Sequence, residues 1–313
     1  MRILLIKTSS LGDVIHNLPV VTDLHARYPA AQIDWAVEEA FAEIPRLHPQ
    51  VNQVFSVALR RWRRSLLSAS TWRDIGALRG TLRDRRHDLV IDTQGLLKSA
   101  VVGLAASGRR CGYAATSARE PIAARFYDGC FEVPKDLHAV ERNRRLAAQA
   151  AGYAIDSPPD YGIALAHASS PGTPTALLLT ATSRADKLWP ESSWQALGRE
   201  LHQRGLACRL PAGSPVERAR AERIAAAIPD AEVLPPLGLR DLAGYLAAAR
   251  VVVGVDTGLV HLAAAVGRPT IALYCASDPA LTGVLAATPT RNLGQRGKPP
   301  SVAEAIAAVT ALA

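Results

Sequence analysis

The stretch Arg-Ile-Leu-Leu-Ile-Lys-Thr-Ser-Ser-Leu-Gly-Asp-Val-Ile-His, residues 2–16, decides the fold class. Its apolar residues 3–6 predict a short buried strand, the small residues 8–12 predict a turn, and a helical pattern starts at Asp13. A strand, a small-residue loop and a helix N-terminus in this order form a site at the carboxyl end of a parallel sheet, where open α/β sheets bind ligands. Asp13 is the first side chain there that can act as a base, although an acid at this position also caps helices.

Strands and helices alternate through the first half of the chain. This alternation predicts a parallel sheet with right-handed crossovers. Gly152 is expected to end the last helix of this half. The predicted strands are residues 3–6, 33–37, 54–57, 89–92 and 131–133, and the predicted helices are residues 14–27, 71–86, 96–106 and 139–151.

The same scheme restarts after residues 154–174, a segment of linker composition with four prolines. We therefore predict an α/β protein with two doubly wound domains, residues 1–153 and 175–313, which face each other across a cleft. The terminal helix is a candidate to pack back on the first domain. Periodicity of this kind predicts architecture only, because many activities use it. The predicted strands of the second half are 176–179, 207–210, 231–234, 251–255 and 270–274, and the predicted helices are 194–204, 215–228, 239–249, 259–266 and 303–312.

Composition restricts the class of protein. The 313 residues are 49% hydrophobic and 20% charged, which is typical of soluble globular proteins. No apolar run is long enough to cross a bilayer, and the apolar residues near the N-terminus are too few for a secretory signal, so we expect a cytoplasmic protein. The cysteines are far apart and form no Cys-x-x-Cys pair. They are expected to be small buried residues, not metal ligands or disulfides: Cys111, Cys130, Cys208 and Cys275.

Charge is distributed unevenly along the chain. The net charge is +8, and residues 1–153 hold 22 Lys and Arg against 15 Asp and Glu, whereas residues 154–313 hold 14 against 13. The first half is therefore expected to attract an anion. Of its two basic runs, residues 83–86 are expected to form the solvated face of a helix. The other run directly follows a predicted strand and is a candidate for anion binding: Arg60, Arg61, Arg63 and Arg64.

The loop 180–190 has the composition of an anion-binding site. It follows the first predicted strand of the second half, and its Thr182 and Ser183 offer hydroxyl and backbone donors. Lys187 supplies a mobile positive charge suited to a phosphate. A surface loop with an exposed lysine is an equally ordinary interpretation.

The loop 254–261 joins a strand to a helix that begins at Thr257 or Gly258. Backbone N–H groups and the helix dipole at such an end favour an anion. His261 can donate to a phosphate from the first turn, although a single histidine is more often structural. Asp256 can serve as a ligand or as a helix cap.

A third corner between a strand and a helix carries Glu217, whose carboxylate can accept the two hydroxyls of a ribose. Glutamates in a first turn also occur simply because they favour helix N-termini. The sequence contains no Gly-x-Gly-x-x-Gly and no Gly-x-x-x-x-Gly-Lys-Ser/Thr, which disfavours a Rossmann dehydrogenase and a P-loop NTPase. It also lacks the Asp-x-Asp motif of metal-dependent sugar transferases, so we expect no metal site.

Six motifs in order along the chain carry a specific resemblance. They are Lys7-Thr-Ser-Ser-Leu-Gly-Asp13, Arg60-Arg-Trp-Arg63, Asp92-Thr-Gln-Gly-Leu96 with Lys98-Ser99, His138-Ala-Val-Glu-Arg142, Lys187-Leu-Trp-Pro190 and Val255-Asp-Thr-Gly258 with His261. With these motifs the chain closely resembles the ADP-heptose:lipopolysaccharide heptosyltransferase family, in particular its heptosyltransferase I type, over essentially its full length. This resemblance implies the GT-B fold, in which two Rossmann-like domains face a cleft.

The resemblance also implies a reaction. Members of the type transfer L-glycero-D-manno-heptose from ADP-heptose to the 5-hydroxyl of the first Kdo of Kdo2-lipid A, with inversion at the anomeric carbon. They work at the cytoplasmic face of the inner membrane, with peripheral membrane contact, and require neither a cofactor nor a metal. The implied partners are therefore ADP-heptose and Kdo2-lipid A, and no nucleic acid.

Roles follow from the resemblance residue by residue. Asp13 becomes the general base, Lys187 stabilises the departing diphosphate, and Glu217 binds the ribose. Ser183 stands where the family often has a second threonine, whereas Ala185 replaces a common acid, so no role of that acid carries over. The other donor ligands are Thr182 and Ser183 (phosphates and sugar), Asp256 (heptose hydroxyls), and Thr257, Gly258 and His261 (diphosphate), and the acceptor ligands are Ser10, Arg60, Arg61, Arg63 and Arg64.

Three alternatives stay open from the sequence. A sister heptosyltransferase that adds a later heptose differs in its acceptor, and the basic run 60–64 favours the more anionic Kdo–lipid A. A nucleotide-sugar epimerase of the same architecture needs no second carbohydrate, so it would leave the basic first half unexplained. A nucleic-acid-binding protein fits the net charge of +8, but the aromatic content is 5% and no recognition motif occurs.

Overall fold

The structure is a computed structural model that describes residues 1–165 and 173–312. It divides into two compact units, Met1–Gly162 and Ile163–Ala313. The division falls inside the predicted linker, part of which (166–172) lies outside the described residues. No helix in the described part of the chain is long and apolar enough to cross a membrane.

The first unit is an α/β layer structure. Its elements in chain order are β1 (Arg2–Ile6), α1 (Leu11–Ile15), α2 (Leu18–Arg27), β2 (Gln32–Glu38), β3 (Val51–Val57), α3 (Leu59–Arg64), α4 (Ala69–Asp84), β4 (Leu89–Asp92), α5 (Leu97–Gly103), β5 (Arg109–Tyr113), β6 (Gly129–Phe131) and α6 (Ala139–Ala151). The strands form a six-stranded parallel sheet in the order β3-β2-β1-β4-β5-β6. In the centre of this sheet, Leu4 lies between Asp34 and Val90.

The second unit repeats this plan. Its elements are β7 (Thr175–Leu179), α7 (Glu191–Gln203), β8 (Ala207–Leu210), α8 (Pro215–Ala225), β9 (Glu232–Val233), α9 (Leu239–Ala248), β10 (Val251–Val255), α10 (Gly258–Ala265), β11 (Thr270–Leu273), α11 (Pro279–Thr282), β12 (Thr290–Leu293) and α12 (Val302–Leu312). The sheet order is β12-β11-β10-β7-β8-β9, again parallel throughout.

Both sheets have the doubly wound order in which the first and fourth strands of a unit are neighbours at the centre. The chain leaves this point in opposite directions, so a crevice opens beyond the carboxyl ends of β1 and β4 in the first unit and of β7 and β10 in the second. The predicted α/β class with two doubly wound sheets is therefore confirmed. The cleft between the two domains stays a prediction.

Each unit has its own apolar core. In the first unit the central strands contribute Leu4, Ile6 and Val90, and α3 contributes Trp62, which is 7% exposed. In the second unit Trp189 and Trp194 meet edge to face with ring centroids 5.1 Å apart. Helix α12 closes this second core by packing on α7 and the neighbouring strands.

The N-terminal part of the predicted linker packs on the first unit. Tyr161 is buried, and the guanidinium of Arg144 donates to the Ser157 carbonyl at 2.9 Å. Arg144 also forms a buried ion pair with Asp23 at 2.7 Å. These contacts attach the segment that follows Gly152 to the body of the first unit. Gly152 itself ends α6 in the left-handed conformation (φ 77°), as predicted.

Several predicted elements are wrong in detail. The single helix predicted for residues 14–27 is two helices, because Pro19 has no N–H to continue the first one and its ring would crowd the preceding turn. The run at residues 60–64 forms α3, for which no helix was predicted. Strands β5 and β12 were not predicted either: β5 begins with two arginines, and β12 is an exposed edge strand.

Two side-chain predictions also need correction. Arg85, expected on a solvated face, is held against the buried carboxylate of Asp34 at 3.0 Å. Asp34 also binds His87 at 3.1 Å, so this acid gathers two basic side chains at the edge of the core. Cys130 is exposed, whereas the other three cysteines are buried as expected.

Candidate functional site

The opening loop of the first unit is held by one side chain from the neighbouring strand. Gln94 follows β4, and its Oε1 accepts hydrogen bonds from the backbone N–H groups of Thr8 at 2.8 Å and Ser9 at 3.1 Å. Its amide nitrogen donates to the Ser9 carbonyl at 2.5 Å. A buried loop must satisfy its backbone groups, and here a single amide does so for three of them. Gln94 is a site residue to which sequence reasoning gave no role.

Asp13 lies in the first turn of α1, at the end of this loop. Its Oδ2 accepts hydrogen bonds from the Ser10 backbone N–H at 2.8 Å and from the Ser10 hydroxyl at 2.9 Å. Ser10 and Asp13 occupy the two positions of a capping box, and the two bonds donated by Ser10 fix the orientation of the carboxylate. Capping and orientation are therefore combined in one residue pair, Ser10 and Asp13.

Positive charge surrounds the Asp13 carboxylate. Burial alone would raise the pKa of Asp13, but the charge of Lys7, the hydrogen bonds from Ser10 and the charge of Arg119 hold it below its ordinary value. The Arg119 guanidinium lies 3.9 Å from Oδ2. Asp13 is consequently ionised at neutral pH and can accept a proton.

Lys7 is a buried lysine with two polar partners. Its Nζ donates to the Thr93 carbonyl at 2.7 Å and to Oδ1 of Asn143 at 3.1 Å. Burial lowers the pKa of Lys7 to about 8, although the charge of Asp13 opposes that shift. The two residues are therefore electrostatically coupled, and sequence reasoning, which quoted Lys7 only within a motif, missed this pair.

A buried acid organises the turn after β4. Asp92 accepts hydrogen bonds from the backbone of Gln94 and Gly95 and from the hydroxyls of Ser99 and Tyr127. Burial raises the pKa of Asp92, and the hydrogen bonds oppose that rise. This network fixes the turn that carries Gln94, and so acts on the opening loop through it.

The four arginines predicted to bind an anion lie on α3 and are exposed. Arg61 is not free, because it forms ion pairs with Asp74 at 2.8 Å and Glu39 at 3.3 Å. The Arg60 guanidinium lies 5.3 Å from the centre of the Phe41 ring. The other two, Arg63 and Arg64, extend into solvent.

In the second unit, three residues that were predicted to bind the sugar donor lie together beyond the ends of β7 and β10. Lys187 Nζ lies 2.6 Å from Oδ2 of Asp256. The Thr182 hydroxyl donates to the Asp256 carbonyl at 3.1 Å. Ser277, which sequence reasoning missed, donates its hydroxyl to the same Asp256 carboxylate. Asp256 thus lies in a polar cluster with Lys187, Thr182 and Ser277, and its contact with a sugar donor stays a prediction.

The N-terminus of α10 opens beside this cluster. The helix begins at Gly258 and Thr257 precedes it, as predicted. Gly254 allows the helix to lie close to the sheet, since an added Cβ would meet Val260 at 2.4 Å and Leu179 at 2.8 Å. His261 lies in the first turn and is buried. The backbone N–H groups and the dipole of this helix end favour an anion.

Glu217 has the contacts of a helix-capping residue in this structure. Its Oε2 accepts a hydrogen bond from the Gly213 N–H at 2.8 Å, and the Ser214 hydroxyl accepts one from the Glu217 N–H at 3.2 Å. The helix-end interpretation of Glu217 is therefore realised, and a ribose contact stays a prediction. Ser183 is exposed, and its predicted contact with the donor also stays a prediction.

The predicted residues thus fall into two groups, one in each unit. The first group contains Ser10 and Asp13, to which the structure adds Lys7, and the second contains Thr182, Lys187 and Asp256 with the start of α10. The four predicted arginines of α3, Ser183 and Glu217 belong to neither group. Among the residues that the structure describes, no group of three or more His, Cys, Asp or Glu side chains is arranged to hold a metal ion.

The chain is similar in sequence to known enzymes. It matches the model of glycosyltransferase family 9 (heptosyltransferase) over residues 75–307. It is 48% identical to lipopolysaccharide heptosyltransferase 1 of Pseudomonas aeruginosa over 291 residues, which are 90% of this chain and 81% of that protein.

Solved structures give the same relationship. The structure of E. coli heptosyltransferase WaaC with ADP has a TM-score of 0.93 and 39% identity, and the match covers 100% of both chains. The structure of that enzyme with ADP-2-deoxy-2-fluoro heptose has a TM-score of 0.90 and 40% identity, covering 99% of this chain and 98% of that one.

Proposed function

We propose that this chain, which belongs to glycosyltransferase family 9, the heptosyltransferases, moves L-glycero-D-manno-heptose from ADP-heptose to Kdo2-lipid A. The acceptor atom is the 5-hydroxyl oxygen of the first Kdo. The anomeric carbon is inverted, because the hydroxyl attacks from the side opposite to the departing ADP. The reaction contributes to the inner core of lipopolysaccharide.

Asp13 is the general base in this proposal. Its carboxylate is ionised, oriented by Ser10 and surrounded by the positive charges of Lys7 and Arg119. It takes the proton of the acceptor hydroxyl while the oxygen forms its bond to the anomeric carbon. Ser10 lies next to the reacting hydroxyl and assists in binding the acceptor. This single observation, an ionised acid fixed at the carboxyl end of β1, carries the assignment of the chemistry.

The second unit binds the donor. Lys187 and the N-terminus of α10 face the diphosphate, with contacts from Thr257, Gly258 and His261, and Asp256 binds the heptose hydroxyls. As the bond from the anomeric carbon to the phosphate oxygen breaks, its electron pair remains on ADP. Lys187 and the helix dipole stabilise that added negative charge, which is the task a metal ion performs in other transferases.

The remaining donor contacts come from the two flanking corners. Thr182 and Ser183 bind phosphate and sugar oxygens, and Glu217 exchanges its bond to the Gly213 N–H for the ribose hydroxyls. No cofactor is required. Exclusion of water from the bound substrates would protect the donor from hydrolysis.

The acceptor is recognised by charge. Kdo2-lipid A carries carboxylates and phosphates, and the exposed Arg60, Arg63 and Arg64 offer guanidinium groups to them. Arg61 joins them if it exchanges Asp74 or Glu39 for the acceptor. Because the acceptor is anchored in a membrane, the protein works as a peripheral protein at the cytoplasmic face of the inner membrane.

The test is an assay with purified protein, ADP-heptose and three acceptor conditions. We expect ADP release only with Kdo2-lipid A, together with a product heavier by one heptose. Release only with an acceptor that already carries one heptose would identify a sister heptosyltransferase. Conversion of ADP-heptose without any acceptor would indicate an epimerase or a hydrolase, and the proposal would be wrong.

A further inference from the structure

The first unit carries a surface feature that the proposed chemistry does not use. An open groove of about 410 Å³ lies between α3, α4 and α5. Its lining is apolar except for Arg79, and Trp62 and Leu82 form its buried part. Val101, from α5, is 52% exposed at its opposite wall. An apolar depression of this kind on a surface marks a binding or membrane-contact site.

The loop between α3 and α4 extends the apolar surface beyond the groove. Leu66 is 53% exposed and Leu67 is fully exposed, and neither lines the groove. Trp72 is 60% exposed, and its indole N–H donates to the Leu66 carbonyl at 2.8 Å. The hydrogen bond fixes the loop against the tryptophan ring. Two leucines and a tryptophan are therefore exposed on a segment whose backbone is constrained by this hydrogen bond.

Exposed arginines border these apolar residues. Four lie on α3, and Arg73 and Arg79 lie on α4. Among the described residues of this group, Arg61 is the one with an ion pair, to Glu39 and Asp74. A loop and an adjoining helix that expose leucine and tryptophan next to unneutralised arginines have the composition of elements that lie in a membrane interface. Indole rings with a satisfied N–H suit that position.

We propose that this docking face, formed by Leu66, Leu67, Trp72, Val101, Leu104 and the bordering arginines, binds the surface of an anionic phospholipid bilayer. The apolar side chains enter the acyl-chain boundary, and the guanidinium groups contact lipid phosphates. The inference deepens the proposed function, since it names the surface behind the membrane contact.

Other occupants fit the docking face less well. A second copy of the chain would bring two sets of unneutralised arginines together, which repel each other. A single acyl chain could fill the groove, but it would leave Leu67 in water because Leu67 does not line the groove. An anionic bilayer covers the groove and the loop together, and its negative charge neutralises the arginines.

The experiment is co-sedimentation of the full chain with vesicles that contain no Kdo2-lipid A. One set contains phosphatidylcholine alone, and the other contains phosphatidylcholine with 30 mol% phosphatidylglycerol, a probe composition that we choose. We expect binding to the anionic set and little binding to the neutral set. Binding should weaken as the salt concentration rises, because the phosphate contacts are screened.

Two double variants test the two halves of the face. Leu66→Ser with Leu67→Ser should reduce partitioning by on the order of a hundredfold, since each leucine that no longer enters the membrane costs about tenfold. Arg63→Glu with Arg64→Glu should reduce it at least about 25-fold, because each lost basic contact costs about fivefold. The matched controls are Val216→Ser, another exposed apolar residue, and Arg291→Glu with Arg296→Glu, both in the second unit. These controls should bind as the parent does.

Activity on a water-soluble, deacylated Kdo2 acceptor separates the two proposals. The leucine variant should keep its turnover on this acceptor while losing vesicle binding. If the parent transfers no heptose but binds anionic vesicles through Leu66 and Leu67, the proposed function fails and the docking face stands. If the leucine variant binds vesicles as tightly as the parent, or if the parent forms a dimer that the variant abolishes while neither binds vesicles, the docking face is wrong.

Discussion

The Lys187 ammonium lies 2.6 Å from the Asp256 carboxylate, with only 19% and 13% of the two side chains exposed. The pair joins the end of β7 to the end of β10, the two central strands of the second sheet. Under the proposed function, this pair supplies a cation that binds the diphosphate of the ADP-sugar and an acid that binds its sugar hydroxyls. It also prevents either charge from being buried alone while no donor is bound, which would be costly.

Removing the lysine should weaken nucleotide binding. Lys187→Ala takes away the cation nearest the diphosphate and leaves the Asp256 charge to repel it, so we expect ADP affinity to fall by about tenfold or more. Titration calorimetry measures it. Lys298→Ala, an exposed lysine of the same unit, is the matched control and should bind ADP normally. Equal affinity in parent and Lys187→Ala would remove Lys187 from the donor site.

Asp13→Asn should separate catalysis from folding. The amide oxygen can still accept the two hydrogen bonds from Ser10, so stability should change little, whereas the proton acceptor is lost. We expect kcat to fall by about a hundredfold or more with ADP binding unchanged. Asp84→Asn, an exposed acid on α4, should be fully active. Near-normal turnover of a folded Asp13→Asn enzyme would contradict the assignment.

Lys7→Met should change the pH dependence of turnover. The Lys7 charge helps to hold the pKa of Asp13 below its ordinary value, so its removal raises the pKa of the base. The acid limb of the kcat profile should therefore move to higher pH in the variant. A rate profile between pH 4 and pH 8, with circular dichroism to confirm folding at each point, measures the shift. A limb that does not move would mean that Asp13 and Lys7 are not coupled during catalysis.

Lys7→Met should also change how the free energy of unfolding depends on pH, because the pKa of Lys7 itself differs between the folded and unfolded states. Burial lowers the pKa of Lys7 to about 8 in the folded state, from 10.5, so the unfolded state binds more protons between these values. The free energy of unfolding of the parent should therefore gain about 2 kcal/mol from Lys7 between pH 8 and pH 10, and Lys7→Met should lack that gain. Urea unfolding of both proteins at the two pH values gives the difference.

Chelation should leave turnover intact. The proposal assigns the positive field at the departing diphosphate to Lys187 and the N-terminus of α10, so no divalent ion is needed there. Activity in saturating EDTA should equal activity without it. If turnover disappears on chelation and returns with Mg²⁺ or Mn²⁺, the positive field comes from a metal and the mechanism must be revised.

Gly254→Ala should damage the donor site through the backbone. The added methyl would lie 2.4 Å from a Val260 carbon and 2.8 Å from a Leu179 carbon, so α10 must move away from the sheet. We expect a loss of about 1–3 kcal/mol in stability and weaker ADP binding. Gly244→Ala, where no atom lies within 4 Å of the added carbon, should keep or raise stability. Thermal denaturation with and without ADP compares the two.

Much of the fold could be predicted because its central strands are apolar runs between small-residue loops. The strands that were missed lack that signal: β5 starts with Arg109 and Arg110, and β12 is a polar edge strand whose side chains meet water. Helix α3 was missed for a similar reason, since four of its six residues are arginines and only Trp62 is buried. Strand pairing and tertiary contact decide these elements, and neither leaves a periodic pattern.

The candidate site could be predicted where a strand, a loop and a helix follow each other along the chain. Asp13, Lys187 and Asp256 were found in this way. The partners that arrive from other strands were not: Gln94 reaches the opening loop from 85 residues away, and Ser277 reaches Asp256 from 21. Their roles depend on which strands lie side by side. The motif at residues 92–96 contains Gln94 but does not show which loop its side chain reaches, and no motif was found around Ser277.

The presence of a separate core in each unit also affects how the protein can evolve. The two core clusters consist of different described residues, so we expect the effects of substitutions in one core and in the other on stability to add. Substitutions can then accumulate in the unit that carries Asp13 and the arginines while the unit that carries Lys187 stays unchanged. If the first unit binds the acceptor and the second binds the donor, as proposed, acceptor specificity can change during evolution while donor binding is kept.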